Sequence, residues 1–195
     1  LWRDALNKEL TPIDALKIYA LKTSPAFEAA LLAGIRLARP IDDFAEPIRH
    51  FARNLGVAFQ ILNDLGDWQG DDNNKLAAGL DTLGGRPTVL LALALDALEE
   101  DDRQMLLALL DNLAGDAGEQ IQQVRHLYKK AGAFDKAVRL VDKHQQRAEM
   151  IADNIQPEDL RRLFYYLIDT VLERPAGEPA VVVPLGQLAT TENNS

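Results

Sequence analysis

The sequence contains no cysteine. Disulfides, thiolate zinc sites and cysteine nucleophiles are therefore excluded, and the absence fits a reducing, cytoplasmic setting. Positive charge is scarce: 21 Lys and Arg stand against 30 Asp and Glu, a formal net charge of −9. That balance disfavours a surface for nucleic acid or anionic membrane, because a phosphate backbone needs a basic footprint. No apolar run reaches the roughly 18 residues of a membrane span, and no signal peptide is visible, so no stable membrane insertion is expected. Internal repeats, low-complexity tracts and the Asn-Gly or Asp-Gly hairpin signal are missing too. What is present is a globular balance, 47% hydrophobic and 26% charged over 195 residues. That is enough for one domain with a real core.

Helical periodicity runs through most of the chain and predicts an all-α fold. Thr11-Pro12-Ile13-Asp14 reads as an N-cap, a proline at the first helical position and an acid in the first turn. A short helix is expected to about Leu21, with a second start at Ser24-Pro25 and an apolar stripe from Phe27 to Leu37. Asp42 or Asp43 is placed to cap a long helix from Phe44 to about Asp67. Trp68 to Pro87, rich in glycine, has no clear period, and a loop of that length is usually functional or disordered. Thr88 opens an apolar helix, Val89 to Leu98. Others are expected at Arg103–Leu113, Glu119–Lys130, Phe134–Asp153 and Pro157–Glu173, with Gly132 as a break. Residues 1–174 read as one helical domain and 175–195, with prolines and Ala180-Val181-Val182-Val183, as a flexible tail. The chain begins at Leu1 in mid-pattern, so it is expected to be part of something longer.

The chemistry-bearing stretch is Gly56-Val57-Ala58-Phe59-Gln60-Ile61-Leu62-Asn63-Asp64-Leu65-Gly66-Asp67. On a helix, with Gln60 at zero, Asn63 falls near about −60°, Asp64 near about +40° and Asp67 near about −20°. One face thus carries two amides and two carboxylates on a helix whose other faces are largely apolar. Buried polar groups must be satisfied, and hard oxygen ligands at this spacing suit Mg²⁺ completed by substrate phosphates. The plainer alternative is a solvated face with an ordinary acidic end. Two features weigh against it. Carboxylates at a helix C-terminus oppose the dipole, and the glycine-rich segment begins directly after them. Lys22-Thr23 falls at the expected helix break, where a lysine also suits the C-terminal dipole. Lys75 and Arg86 lie in the glycine-rich segment, and Arg86 precedes a helix start whose free N–H groups could attract an anion. Loop solubility is the alternative for both.

Lys22-Thr23, Gly56 to Gln60, Asn63-Asp64-x-x-Asp67, Gly79-x-Asp81 and Arg86-Pro87-Thr88 occur in an order and spacing that resembles the trans-isoprenyl diphosphate synthases, the polyprenyl synthetase family. The resemblance covers roughly Ile13 to Leu95. It implies a terpenoid-synthase-type helical bundle around a central cavity, and a prenyltransferase that joins isopentenyl diphosphate to an allylic diphosphate with release of pyrophosphate. It implies Mg²⁺ held by aspartate-rich motifs, with Asn63, Asp64 and Asp67 matching the second of them. Lys22, Thr23 and Gln60 match residues at the allylic diphosphate. Arg86 falls where the family has a lysine, and Lys75 lies near another. By resemblance Lys22, Thr23, Gln60 and Asp64 are the catalytic set, and Lys22, Thr23, Gln60, Lys75 and Arg86 bind the diphosphate. A homodimer is implied as well.

The chain departs from the family in three respects. Asn63 replaces the leading aspartate and can ligate only as a neutral carbonyl. Ala77 replaces a lysine, with Lys75 two residues away. The first aspartate-rich motif and the basic residues for isopentenyl diphosphate are absent, since only 21 residues precede Lys22. The chain is therefore expected to be the C-terminal part of a synthase, with little or no turnover by itself. The alternatives are a degenerate, non-catalytic partner subunit and a helical interaction module.

Overall fold

The computed structural model describes residues 10–68, 86–111 and 116–173. Among these, every regular element is helical: α1 (Pro12–Ala38), α2 (Ala45–Gly66), α3 (Val89–Ala97), α4 (Glu100–Asp111), α5 (Ala117–Lys130), α6 (Ala133–Asp153) and α7 (Glu158–Val171). The expected all-α architecture is the one observed. The proposed tail, Lys75, Gly79 and Asp81 lie outside the described residues.

α2 is the central element. Tyr19 meets Asp64, Thr23 meets Gln60 and Glu28 meets Arg49, so numbering rises on α1 as it falls on α2 and the two run antiparallel. α6 is antiparallel to α2 as well: Phe134 packs on Trp68 and His144 on Asn54. Ile48, Phe51, Leu55 and Ile61 on α2 are fully buried. Each contributes roughly 1.5–3 kcal/mol by leaving water. Phe51 stacks on Phe164 of α7, with ring centroids 4.1 Å apart. α3 is buried from Val89 through Leu95, as an apolar helix without a polar face must be.

The caps explain most boundaries. The Thr11 side chain accepts from the Asp14 N–H, and the Thr88 side chain accepts from the Leu91 N–H at 3.2 Å. Gly132 takes φ 63° between α5 and α6, a left-handed conformation that glycine adopts without a Cβ penalty. Two expectations are corrected. Neither Asp42 nor Asp43 caps α2; its N-cap is Phe44, without a side-chain cap bond. α1 does not break at Lys22-Thr23 but runs unbroken through Pro25, which lies inside it. The proline removes one intrahelical bond, from the Leu21 carbonyl, and Leu21 is 79% exposed, so water can serve that group. Trp68, at the start of the segment read as a loop, is buried against Tyr128 and Phe134, at centroid separations of 5.1 and 6.1 Å. This aromatic cluster ties down the C-terminal end of α2.

Candidate active site

The approach of α1 to α2 sets the site. A Cβ on Gly56 would lie 2.9 Å from Ser24 Oγ and 3.0 Å from the Ser24 backbone nitrogen. Glycine at 56 thus lets the helices touch through backbone, and Ser24 Oγ donates to the Arg53 carbonyl at 3.4 Å. One turn further along, Thr23 Oγ1 donates to Gln60 Oε1 at 3.2 Å. The Lys22-Thr23 pair is thereby joined directly to the helix that carries Asn63, Asp64 and Asp67.

Asp64 and its neighbours on that helix are treated differently by the fold. Asp64 is buried, 7% exposed, whereas Asn63 and Asp67 are exposed. The Tyr19 hydroxyl, 4% exposed, donates to Asp64 Oδ2 and accepts from the Val89 N–H at 2.7 Å. Burial pushes the Asp64 carboxyl up to about 6, and the charge of Asp67 adds to this. Hydrogen bonds from Tyr19, the Val89 N–H and the Gln60 amide pull the other way. Burial, and then the Asp64 charge, push the Tyr19 phenol upward, so it remains a donor. A carboxylate placed this way, beside a second carboxylate, gains from a cation.

Lys22 and Arg86 are both exposed. Arg86 precedes α3, as expected, and two of the N–H groups there are already engaged within the protein. Val89 N–H is taken by Tyr19 and Leu91 N–H by Thr88. Tyr19 is the residue that sequence reasoning missed. Its signal was present, since a tyrosine on the inward stripe of α1 must find a partner for its hydroxyl.

Among the described residues no three His, Cys, Asp or Glu side chains gather into a metal site on their own. The oxygen donors of Asn63, Asp64 and Asp67 suit one wall of a Mg²⁺ site whose remaining ligands are phosphate oxygens and water. They do not suit a closed protein cage.

The described residues form a helical bundle in which Thr23, of the Lys-Thr pair, is hydrogen-bonded to Gln60 on the helix carrying Asn63, Asp64 and Asp67. The chain belongs to the polyprenyl synthetase family, whose profile matches residues 2–131. It is 29% identical over 165 residues to the all-trans-nonaprenyl-diphosphate synthase (geranyl-diphosphate specific) of Rhodobacter capsulatus, covering 82% of this chain and 48% of that protein. In fold it resembles the polyprenyl synthase of Roseobacter denitrificans, with TM-score 0.75, 23% identity, and coverage of 88% of this chain and 56% of the other. It also resembles the geranylgeranyl pyrophosphate synthase of Corynebacterium glutamicum complexed with isoprenyl diphosphate and magnesium, with TM-score 0.73, 19% identity, and coverage of 89% and 53%. The chain spans about half the length of the curated relatives it matches.

Proposed function

We propose that this chain carries the Lys-Thr and second aspartate-rich walls of a prenyltransferase site, which condenses isopentenyl diphosphate with an allylic diphosphate and releases pyrophosphate. The observation that supports this most is the Thr23–Gln60 hydrogen bond, which holds the two motifs together at the crossing of α1 and α2. Asn63, Asp64 and Asp67 would hold Mg²⁺, which supplies charge neutralisation to a departing diphosphate. Lys22 and Arg86 add positive charge toward the same group, and Lys75 belongs to this set by sequence position. Thr23 and Gln60 orient its oxygens, and Tyr19 fixes the Asp64 carboxylate. The proton released when the new carbon–carbon bond forms passes to the freed diphosphate. The Corynebacterium relative, complexed with isoprenyl diphosphate and magnesium, supports this ligand pair.

Homodimerisation and a cytoplasmic setting belong to the same reading. The exposed apolar residues Leu21 and Leu37 on α1, the latter 92% exposed, support an assembly that covers this helix. Among the described residues no helix is long and apolar enough to cross a membrane.

The test is thermal stability with inorganic diphosphate, with and without Mg²⁺. Stabilisation that requires both, and that disappears in Asp64→Asn, is the expected result. Equal melting temperatures under all conditions would refute the reading in favour of a non-catalytic helical module.

A further inference from the structure

A groove of about 970 Å³ runs between α2 and α6, with the first turns of α1 at its side. That volume lies in the range of small-molecule sites. Its floor is apolar, formed by Leu16, Val57, Leu140 and Ile151. At its edge Ile13 and Met150 are 64% and 66% exposed, which continues the apolar lining to the surface. None of Lys22, Thr23, Gln60, Asn63, Asp64 or Asp67 lines it.

Its rim is cationic. Arg53 of α2, Lys143 and Arg147 of α6 and Lys17 of α1 supply the charge, with the His50 and His144 rings beside them. Among the described residues its one carboxylate is Glu46, already paired with Arg49 at 2.5 Å and His50 at 3.4 Å. Lys17 is paired with Asp14 at 3.2 Å. His144 lies beside three of these cations in the lining. Asn54 donates to the His50 carbonyl at 2.8 Å, which turns its amide oxygen toward His144 Nδ1 at 2.9 Å. The network therefore assigns the proton to Nδ1 and leaves Nε2 as an acceptor. Burial, then the charges of Arg147, Lys143 and Arg53, push the imidazole down to about 4. In a chain of net charge −9, three cations gathered at the rim of an apolar trough are placed to receive an anion. An anionic group on an apolar chain satisfies both features.

We propose that this groove binds an anionic amphiphile, a single apolar chain ending in a phosphate-type head, with the head among Arg53, Lys143 and Arg147 and the chain along Leu16, Val57, Leu140 and Ile151. This site is separate from the diphosphate site and does not rest on the prenyltransferase reading. Its independence from divalent cations distinguishes the two.

The experiment is calorimetric titration of the full chain with dodecyl phosphate, below its micelle concentration and in EDTA. Inorganic phosphate, dodecanol and phosphatidylglycerol vesicles are titrated in parallel. Dodecyl phosphate is expected to bind one to one, at least tenfold more tightly than phosphate or dodecanol. Lys143→Glu with Arg147→Glu should weaken it at least tenfold. Stabilisation of that double variant by Mg²⁺ and diphosphate should match the parent's, which also shows that it folds. Should the double variant not fold, Arg53→Gln and Arg147→Gln serve instead, each with a three- to tenfold loss expected. Binding should also raise the His144 pKa, followed by imidazole NMR shifts against pH. Three outcomes overturn the proposal: no heat with dodecyl phosphate, equal affinity in the variants, or binding to vesicles alone, which would indicate a membrane surface.

Discussion

Tyr19 holds Asp64. Its hydroxyl donates to the Asp64 carboxylate from α1 while accepting the Val89 N–H at the start of α3. Three helices far apart in sequence therefore share one buried oxygen, and the orientation of the central carboxylate of the candidate site depends on a residue outside every aspartate-rich motif.

Removing that hydroxyl should cost both stability and metal response. Tyr19→Phe takes one donor from the buried Asp64 carboxylate and one acceptor from the Val89 N–H, at a cost of about 1–3 kcal/mol in urea denaturation. It also takes away a hydrogen bond that lowers the Asp64 pKa, so Asp64 should titrate at higher pH still. The Mg²⁺- and diphosphate-dependent rise in melting temperature should shrink. An unchanged urea midpoint would show that the bond contributes nothing.

Asp64 and Asp67 should separate stability from function. Asp64→Asn removes a charge that burial disfavours and keeps an oxygen for Tyr19, so the chain without ligand should be as stable as the parent or more so. Asp67→Asn changes an exposed side chain, and its effect on stability should stay within about 0.5 kcal/mol. Both should abolish stabilisation by Mg²⁺ with diphosphate. EDTA should produce the same loss in the parent protein and no further change in either variant.

His144 should give the protein an acid-sensitive term. Its pKa is 6.5 in an open chain and about 4 in the folded one, owing to burial and to Arg147, Lys143 and Arg53. Between those values the unfolded chain binds the proton and the folded chain does not. Folding stability from this group is thus present above about 6.5 and lost as pH falls toward 4. Asn54, which accepts from His144, does not titrate, and His50 nearby is exposed and paired with Glu46. Urea unfolding from pH 7 to pH 4 should show a smaller loss of stability in His144→Gln than in the parent.

Gly56→Ala tests the close approach of α1 and α2. A methyl group there meets Ser24 backbone atoms at 3.0 and 3.1 Å, which cannot swing aside. The helices must part, at a cost of about 1–3 kcal/mol. The Thr23–Gln60 bond should lengthen with them, so binding of Mg²⁺ with diphosphate should weaken although no ligand has been changed. Calorimetry of that binding checks the point.

How far the sequence could be read follows from which forces were local. Thr88 as a cap, Gly132 as a break and the apolar character of Val89 to Leu95 are short-range signals, and all three agree with the structure. Pro25 is misleading because a proline start signal looks the same inside a helix, and α1 runs on through it alongside α2. Trp68 was read with the glycines that follow it, and its partners Tyr128 and Phe134 lie about sixty residues downstream. The periodicity of α2 put Asn63, Asp64 and Asp67 on one arc, but it could not show that Tyr19 would draw Asp64 inward while the other two stay exposed. Sequence spacing sets angles on one helix. The depth of each side chain depends on its neighbours across the interface.

The contact of Ser24 with Gly56 couples two positions thirty-two places apart into one size constraint. A bulkier residue at either is admissible only when the other gives way, and glycine has nothing left to give. Any drift in the sequence that preserves the spacing of Thr23 and Gln60 must therefore keep position 56 without a side chain, since the Ser24 backbone itself stands in the way. The register of two helices is in this way guarded by a hydrogen atom.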